Sequence, residues 1–275
     1  IPVALAMRYG KPSIKKGLQE LSDLGVTETL LIPLYPQHAM ASTETILVLA
    51  EALRKEFFPN MEFTNLPAFY NHPDYIRVLA NSIQNYLKDK EWEHLLFSYH
   101  GIPERHIRKT DITKSHCKID GQCCQTPSSA HQFCYRHQCY ETTRKVVEYL
   151  ELKEGTYSSS FQSRLAGDKW LQPYTDTTVE DFAKNGTKNM AIVTPAFVSD
   201  CLETLEEIAM EVRDEFLIAG GGEYHYIACL NNSPVWISGL AEIADDHLGG
   251  WPKVPESEQA LALSMQRAAA LADKK

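Results

Sequence analysis

Nowhere in this 275-residue chain does an apolar run approach the roughly 20 residues that a membrane-spanning helix needs. The first residues also lack a basic segment followed by an apolar one and a small-residue cleavage site, so no secretory leader is expected from them. Basic runs are equally scarce. The 27 Lys and Arg are outnumbered by 36 Asp and Glu, and the resulting charge of −9 and pI near 5.6 argue against a phosphate-backbone partner, hence no nucleic acid. There is no internal repeat and no CxxC pair. Seven cysteines, an odd number without a secretion signal, point to thiols kept for metal or packing more than to a disulfide framework. These absences lead to the expectation of a soluble, cytoplasmic protein, monomer or homodimer, and 44% hydrophobic residues suffice for one large core or two of ordinary size.

What is present alternates. Short apolar runs at Val3 to Met7, Leu30 to Leu34, Met61 to Thr64 and Leu95 to Tyr99 are separated by amphipathic stretches at Ile14 to Leu24, Thr43 to Phe57 and Pro73 to Leu87. After a helix from about Glu141 to Leu150, strands are expected at Tyr157 to Phe161, Met190 to Thr194 and Tyr224 to Cys229. Helices at Thr178 to Lys184, Leu202 to Phe216 and Pro234 to His247 lie between or after them. This order predicts an α/β fold with parallel sheets covered by helices, and sites at the carboxyl ends of strands. The chain opens inside an expected strand, which suggests a preceding N-terminal region. Between Asp111 and Cys139 the apolar period gives way to cysteines, histidines and small polar residues, an insertion with its own chemistry.

Candidate chemistry gathers at strand ends. In Ser98-Tyr99-His100-Gly101-Ile102-Pro103 a histidine closes an apolar run just before a sharp turn. Taken alone, it reads equally as a loop histidine bonded to backbone. Glu203, Glu207 and Glu211 follow Ser199-Asp200-Cys201 at i, i+4 and i+8, with Ser199 or Asp200 able to cap the helix. Like charges at that spacing destabilise a helix slightly, so either a solvated acidic face or a function accounts for them. Glu203, next to the strand end, could share a crevice with His100, a pairing suited to proton transfer or transient divalent-metal binding. Arg8 and Tyr9 end the first expected strand and Tyr35 the second. Together with Arg164 and Trp170 they supply cations and aromatic faces for a flat anionic ligand, or ordinary packing.

Taken together, these segments closely resemble ferrochelatase. The resemblance is carried in order by Met7-Arg8-Tyr9, Leu34-Tyr35-Pro36-Gln37, Phe97 to Pro103, Phe161-Gln162-Ser163-Arg164, Trp170 to Thr175 and Ser199 to Leu205. It implies two Rossmann-like, chelatase-like lobes with a porphyrin cleft between them. The N-terminal lobe would span 1–69, completed by a helix at 234–248. The C-terminal lobe would span 70–233 with the insertion at 111–139, and an extension would follow at 249–275. It further implies insertion of Fe²⁺ into protoporphyrin IX with loss of two pyrrole protons. His100 would accept protons, Glu203 would hold iron or relay protons, Glu207 and Glu211 would form an outward path, and Arg8, Tyr9, Tyr35 and Phe197 would line the pocket. Cys201 stands where many members have histidine. Rival readings are a coproporphyrin III or cobalt chelatase, and a non-catalytic porphyrin-binding or redox-sensing protein. Peripheral membrane contact is compatible with poorly soluble porphyrins, although no amphipathic anchor is evident.

The insertion reads Cys117-x5-Cys123-Cys124-x9-Cys134-x4-Cys139. Four thiolates suit a [2Fe–2S] cluster or structural zinc, and His116, His131 or His137 could join a zinc site. Resemblance to a bacterial branch of the family implies a [2Fe–2S] cluster on Cys117, Cys124, Cys134 and Cys139, with Cys123 as alternative. Cys229, on a late strand, is expected in the core.

Overall fold

The computed structural model describes residues 1–248, so the extension expected at 249–275 lies outside the described residues. Two compact units are resolved: Ile1–Pro33, Glu44–Leu66 and residues 244–248 form the first, and Leu34–Thr43 with Pro67–Ile243 form the second.

In the first unit, the Ser13 side chain accepts from the Lys16 N–H and caps α1 (Ile14–Asp23). Ile14, Leu18 and Leu21 recur at helical spacing and pack with Ala50 of α2 (Thr45–Phe57), Phe58 and Met61. Strands β1 (Glu28–Leu31) and β2 (Glu62–Asn65) pair in parallel, from Glu28↔Glu62 to Leu31↔Asn65. β1 stops short of the expected Leu34 because Pro33 has no N–H to offer a ladder. No strand forms at Val3 to Met7. Val3, Leu5 and Met7 are exposed, and Met7 makes only an isolated bridge with Ser13. An apolar run becomes a strand only where a neighbour satisfies its backbone groups.

The second unit holds a four-stranded, all-parallel sheet in the order β4-β3-β5-β6, built from β3 (His94–His100), β4 (Tyr157–Gln162), β5 (Asn189–Val193) and β6 (Glu223–Ile227). β3 is central and buried along nearly its whole length, as its mainly apolar sequence requires in a sheet covered on both faces. α3 (Pro73–Leu87) begins with proline at its first position behind a His72 cap. A short α4 (Glu104–Thr110) was not foreseen; its buried Glu104 pairs with Arg108 and Lys169. α5 (Tyr135–Tyr149) starts well before Glu141, because its first turns bury Arg136 and Gln138, polar residues that mask the apolar period. α6 (Thr175–Lys184) covers the sheet beside the expected Leu202-to-Phe216 helix, which is a π-helix over Glu203–Val212 running into α7 (Arg213–Ile218). α8 (Pro234–Asp245), expected to complete the first lobe, sets Trp236 against Phe69 and Tyr75 and Gly239 against Val78, all residues of the second unit.

Candidate active site

His100 is the last residue of β3, and the chain turns away at Gly101, whose N–H donates to the Gln162 carbonyl at 2.8 Å. The His100 Nδ1–H donates to the Gly101 carbonyl at 2.6 Å, which leaves Nε2 as the basic nitrogen. Its ring lies 6.1 Å from that of Phe197, and its own carbonyl accepts from the Tyr135 hydroxyl at 2.8 Å.

Glu203 opens the π-helix and is fixed through its carbonyl, which accepts from the Gln162 side chain at 2.9 Å. The Cys201 thiol, the residue's own N–H and the nearby His100 hold its carboxyl below the usual glutamate range. In return, burial first and Glu203 second push the Cys201 thiol up to about 11. Asp200, expected as a possible cap, anchors the preceding loop instead. It accepts from Asn231 at 2.6 Å, from Thr204 at 3.0 Å and from the Tyr226 hydroxyl.

Further along the π-helix, Glu207 accepts from both the backbone N–H of Ser163, at 2.6 Å, and its hydroxyl. Ser163 adopts φ 64°, a left-handed conformation costly for serine, which this double bond holds in place. Glu211 and Glu215 join Glu207, Asp176 and Arg164 around a cavity of about 240 Å³. The Arg164 guanidinium pairs with Asp176 at 2.6 Å and lies over the Tyr174 ring. A π-helix closes its hydrogen bonds five residues apart, and such turns recur at functional sites.

Of the predicted wall residues, Phe197 and Tyr35 belong to the second unit. Arg8 and Tyr9 belong to the first, where the Arg8 guanidinium sits 4.6 Å over the exposed Tyr9 ring and its Nε–H donates to the Thr45 carbonyl.

In the cysteine segment, burial and then the neighbouring Cys134 push the Cys117 thiol up, Cys134 and then burial do the same to Cys124, and Cys123 adds to the rise of both. Cys139 is wholly buried, which pushes its thiol up; the Tyr135 hydroxyl beside it acts the other way and Cys134 adds to the rise. All five are free thiols. His116 and His131 both direct Nε2 to the Cys123 carbonyl, and His137 directs Nδ1 to the Cys124 carbonyl, at 2.7 to 2.9 Å. These imidazoles hold the carbonyls of Cys123 and Cys124. Arg136 donates to the Cys124 sulfur at 3.8 Å, and its Nε is buried without a partner. Among the described residues no group of three or more His, Cys, Asp or Glu side chains is arranged to hold a metal ion. The donors here are buried thiols with the Arg136 guanidinium beside Cys124, while the carboxylates of Asp111 and Asp120 accept from the backbone N–H groups of Cys117 and Cys123; thiols of this kind fit an iron–sulfur group or a single soft ion.

The ferrochelatase family model matches residues 1–248. The chain belongs to the ferrochelatase family. The ferrochelatase of Opitutus terrae is 46% identical over 242 residues, covering 87% of this chain and 69% of that one. That of Ectopseudomonas mendocina is 42% identical over 245 residues, 89% and 72% of the respective chains. As a ferrochelatase, the protein is an enzyme of haem biosynthesis, a lyase with porphyrin and ferrous iron as substrates. The solved structure of SirB from Bacillus subtilis with Fe3+ shares its fold at 12% identity, with a TM-score of 0.59 over 90% of this chain and 83% of that one. The fold is therefore the α/β, Rossmann-like architecture expected. No helix among the described residues of this ferrochelatase is long and apolar enough to cross a membrane.

Sequence reasoning missed Tyr135, Ser163 and Gln162 as parts of the site. Gln162 and Ser163 stand in a motif that carried the resemblance. Tyr135 had only its place beside Cys134 to mark it.

Proposed function

We propose that this ferrochelatase inserts Fe²⁺ into protoporphyrin IX, with His100 accepting the pyrrole protons. The observation that carries the assignment is the commitment of His100 Nδ1 to the Gly101 carbonyl, which leaves Nε2 free to take a proton, beside the charged carboxylate of Glu203. Porphyrin and Fe²⁺ give haem and two protons. His100 Nε2 takes a proton as each pyrrole N–H breaks, and Glu203 stabilises the imidazolium or meets the incoming cation. Glu207 and Glu211 continue as a carboxylate path. Arg8 offers a cation for a propionate, and Tyr9, Tyr35 and Phe197 offer aromatic faces for the macrocycle. The thiol segment holds a [2Fe–2S] cluster, for which Cys117, Cys124 and Cys134 are the leading ligands and Cys123, by its position, the fourth in preference to Cys139; bound there, the cluster would supply one-electron chemistry. The protein works in the cytoplasm, with peripheral contact to the membrane from which a poorly soluble porphyrin is drawn.

Anaerobic absorbance of haem formation tests the catalytic reading. The full-length enzyme should convert protoporphyrin IX with Fe²⁺, and His100→Ala and Glu203→Ala should each lower kcat by about 10² or more while remaining folded. Faster turnover with coproporphyrin III, or with Co²⁺, would reassign the substrate. Tight porphyrin binding without any metal insertion would replace catalysis by a binding or sensing role.

A further inference from the structure

We infer that Tyr135 is a positioning residue for the proton acceptor, holding the His100 peptide from the end of the thiol segment; the inference rests on His100 carrying the role proposed above. The ladder of the sheet explains why such a residue is needed. β3 pairs with β5 only as far as Phe97↔Val193, but with β4 as far as His100↔Gln162. Successive residues of a strand direct their main-chain groups to alternate neighbours. Gly101 gives its N–H to Gln162 on the β4 side, so the His100 carbonyl faces the other way, beyond the last residue of β5. No strand reaches it there.

The Tyr135 hydroxyl takes that place, donating at 2.8 Å. Tyr135 is itself buried, 5% exposed, so the enclosing side chain also keeps water away from the carbonyl. The Cys139 thiol lies beside the hydroxyl, one turn along α5. From the carbonyl the constraint reaches the imidazole by a short route. The next peptide carries the Gly101 oxygen that accepts the His100 Nδ1–H at 2.6 Å, so a tilt of the His100–Gly101 unit redirects the ring and its basic nitrogen. Tyr135 is also the immediate neighbour of Cys134, which lies near Cys117 and Cys124. The insertion therefore bears on the acceptor through one peptide bond and one phenol.

Tyr135→Phe in the full chain removes only the hydroxyl. With Fe²⁺ and protoporphyrin IX, kcat should fall about tenfold while KM for both substrates stays within about twofold, the pattern expected when a reacting group is misdirected and binding is intact. A merely structural contact would lower the thermal midpoint and leave kcat per folded molecule unchanged; that result would overturn the inference. Should Tyr135→Phe give no folded protein, Tyr135→Met makes the same comparison, since its flexible side chain fills the space without a donor. His100→Ala, measured alongside, separates the two levels of argument. If it retains wild-type kcat, the acceptor assignment fails and the inference falls with it. If it is inactive while the Tyr135 variants match the wild type, the inference alone fails.

Discussion

A Cβ on Gly101 would lie 2.7 Å from the Gln162 carbonyl oxygen and 3.3 Å from the Trp170 ring. The first of these atoms is main chain in a paired strand, so it yields only if the sheet end shifts, and the imidazole one residue earlier shifts with it. Gly101→Ala should therefore reduce kcat for haem formation by about a hundredfold at a stability cost of roughly 1–3 kcal/mol, checked by steady-state kinetics together with urea denaturation. Unchanged turnover would mean that the strand end gives way without moving His100. At this scale the sequence was readable where chemistry and backbone signals coincide. His100 followed by Gly and Pro announces a strand end, and Glu203 announces itself by following an expected strand end. Tyr135 could not be found that way, because its importance lies in one hydrogen bond across 35 residues of chain.

Secondary structure was legible wherever local pattern and tertiary demand agree. α3 begins and ends at the expected residues because a proline start and an apolar stripe point the same way. β3 is an apolar run with a sheet waiting on both sides. The π-helix was not legible: Glu203 to Val212 has an ordinary amphipathic helical pattern, and the wider turn is set by what its two ends must reach, Gln162 near one and the packed Ile208 and Val212 near the other. The cysteine segment could be recognised by composition alone, but not the choice among its thiols, since spacing says nothing of which way each sulfur turns. Cys139 differs from the rest in lying beside the Tyr135 hydroxyl as well as near Cys134. Cys124→Ala and Cys123→Ala should each abolish the visible absorbance and acid-labile sulfide of anaerobically purified protein, whereas Cys139→Ala should retain both. Loss in Cys139→Ala with retention in Cys123→Ala would restore the ligand set expected from resemblance.

Among the described residues, two cores of different strength are present. The first unit rests on two four-residue strands and a small cluster around Ile14, Leu18, Leu21 and Phe58, while the second has four paired strands buried between helices. A two-stranded sheet contributes little on its own, so the first unit should unfold at lower urea. Trp92, Trp170 and Trp236 all lie in the second unit, so in a Trp251→Phe background fluorescence follows that unit alone, whereas far-UV circular dichroism follows both. The dichroism transition should begin first; superimposed curves would show a single cooperative unit.

The π-helix places one further demand on this chain. Its acidic row depends on how many residues lie between its ends as much as on which residues they are. Removing one residue between Glu203 and Glu207 without a change of winding would rotate every later side chain of the segment by about 100° about the helix axis. Glu207 would leave Ser163, and the left-handed serine would lose both bonds that hold it. Substitutions along this face are open to gradual change, while insertions and deletions are not.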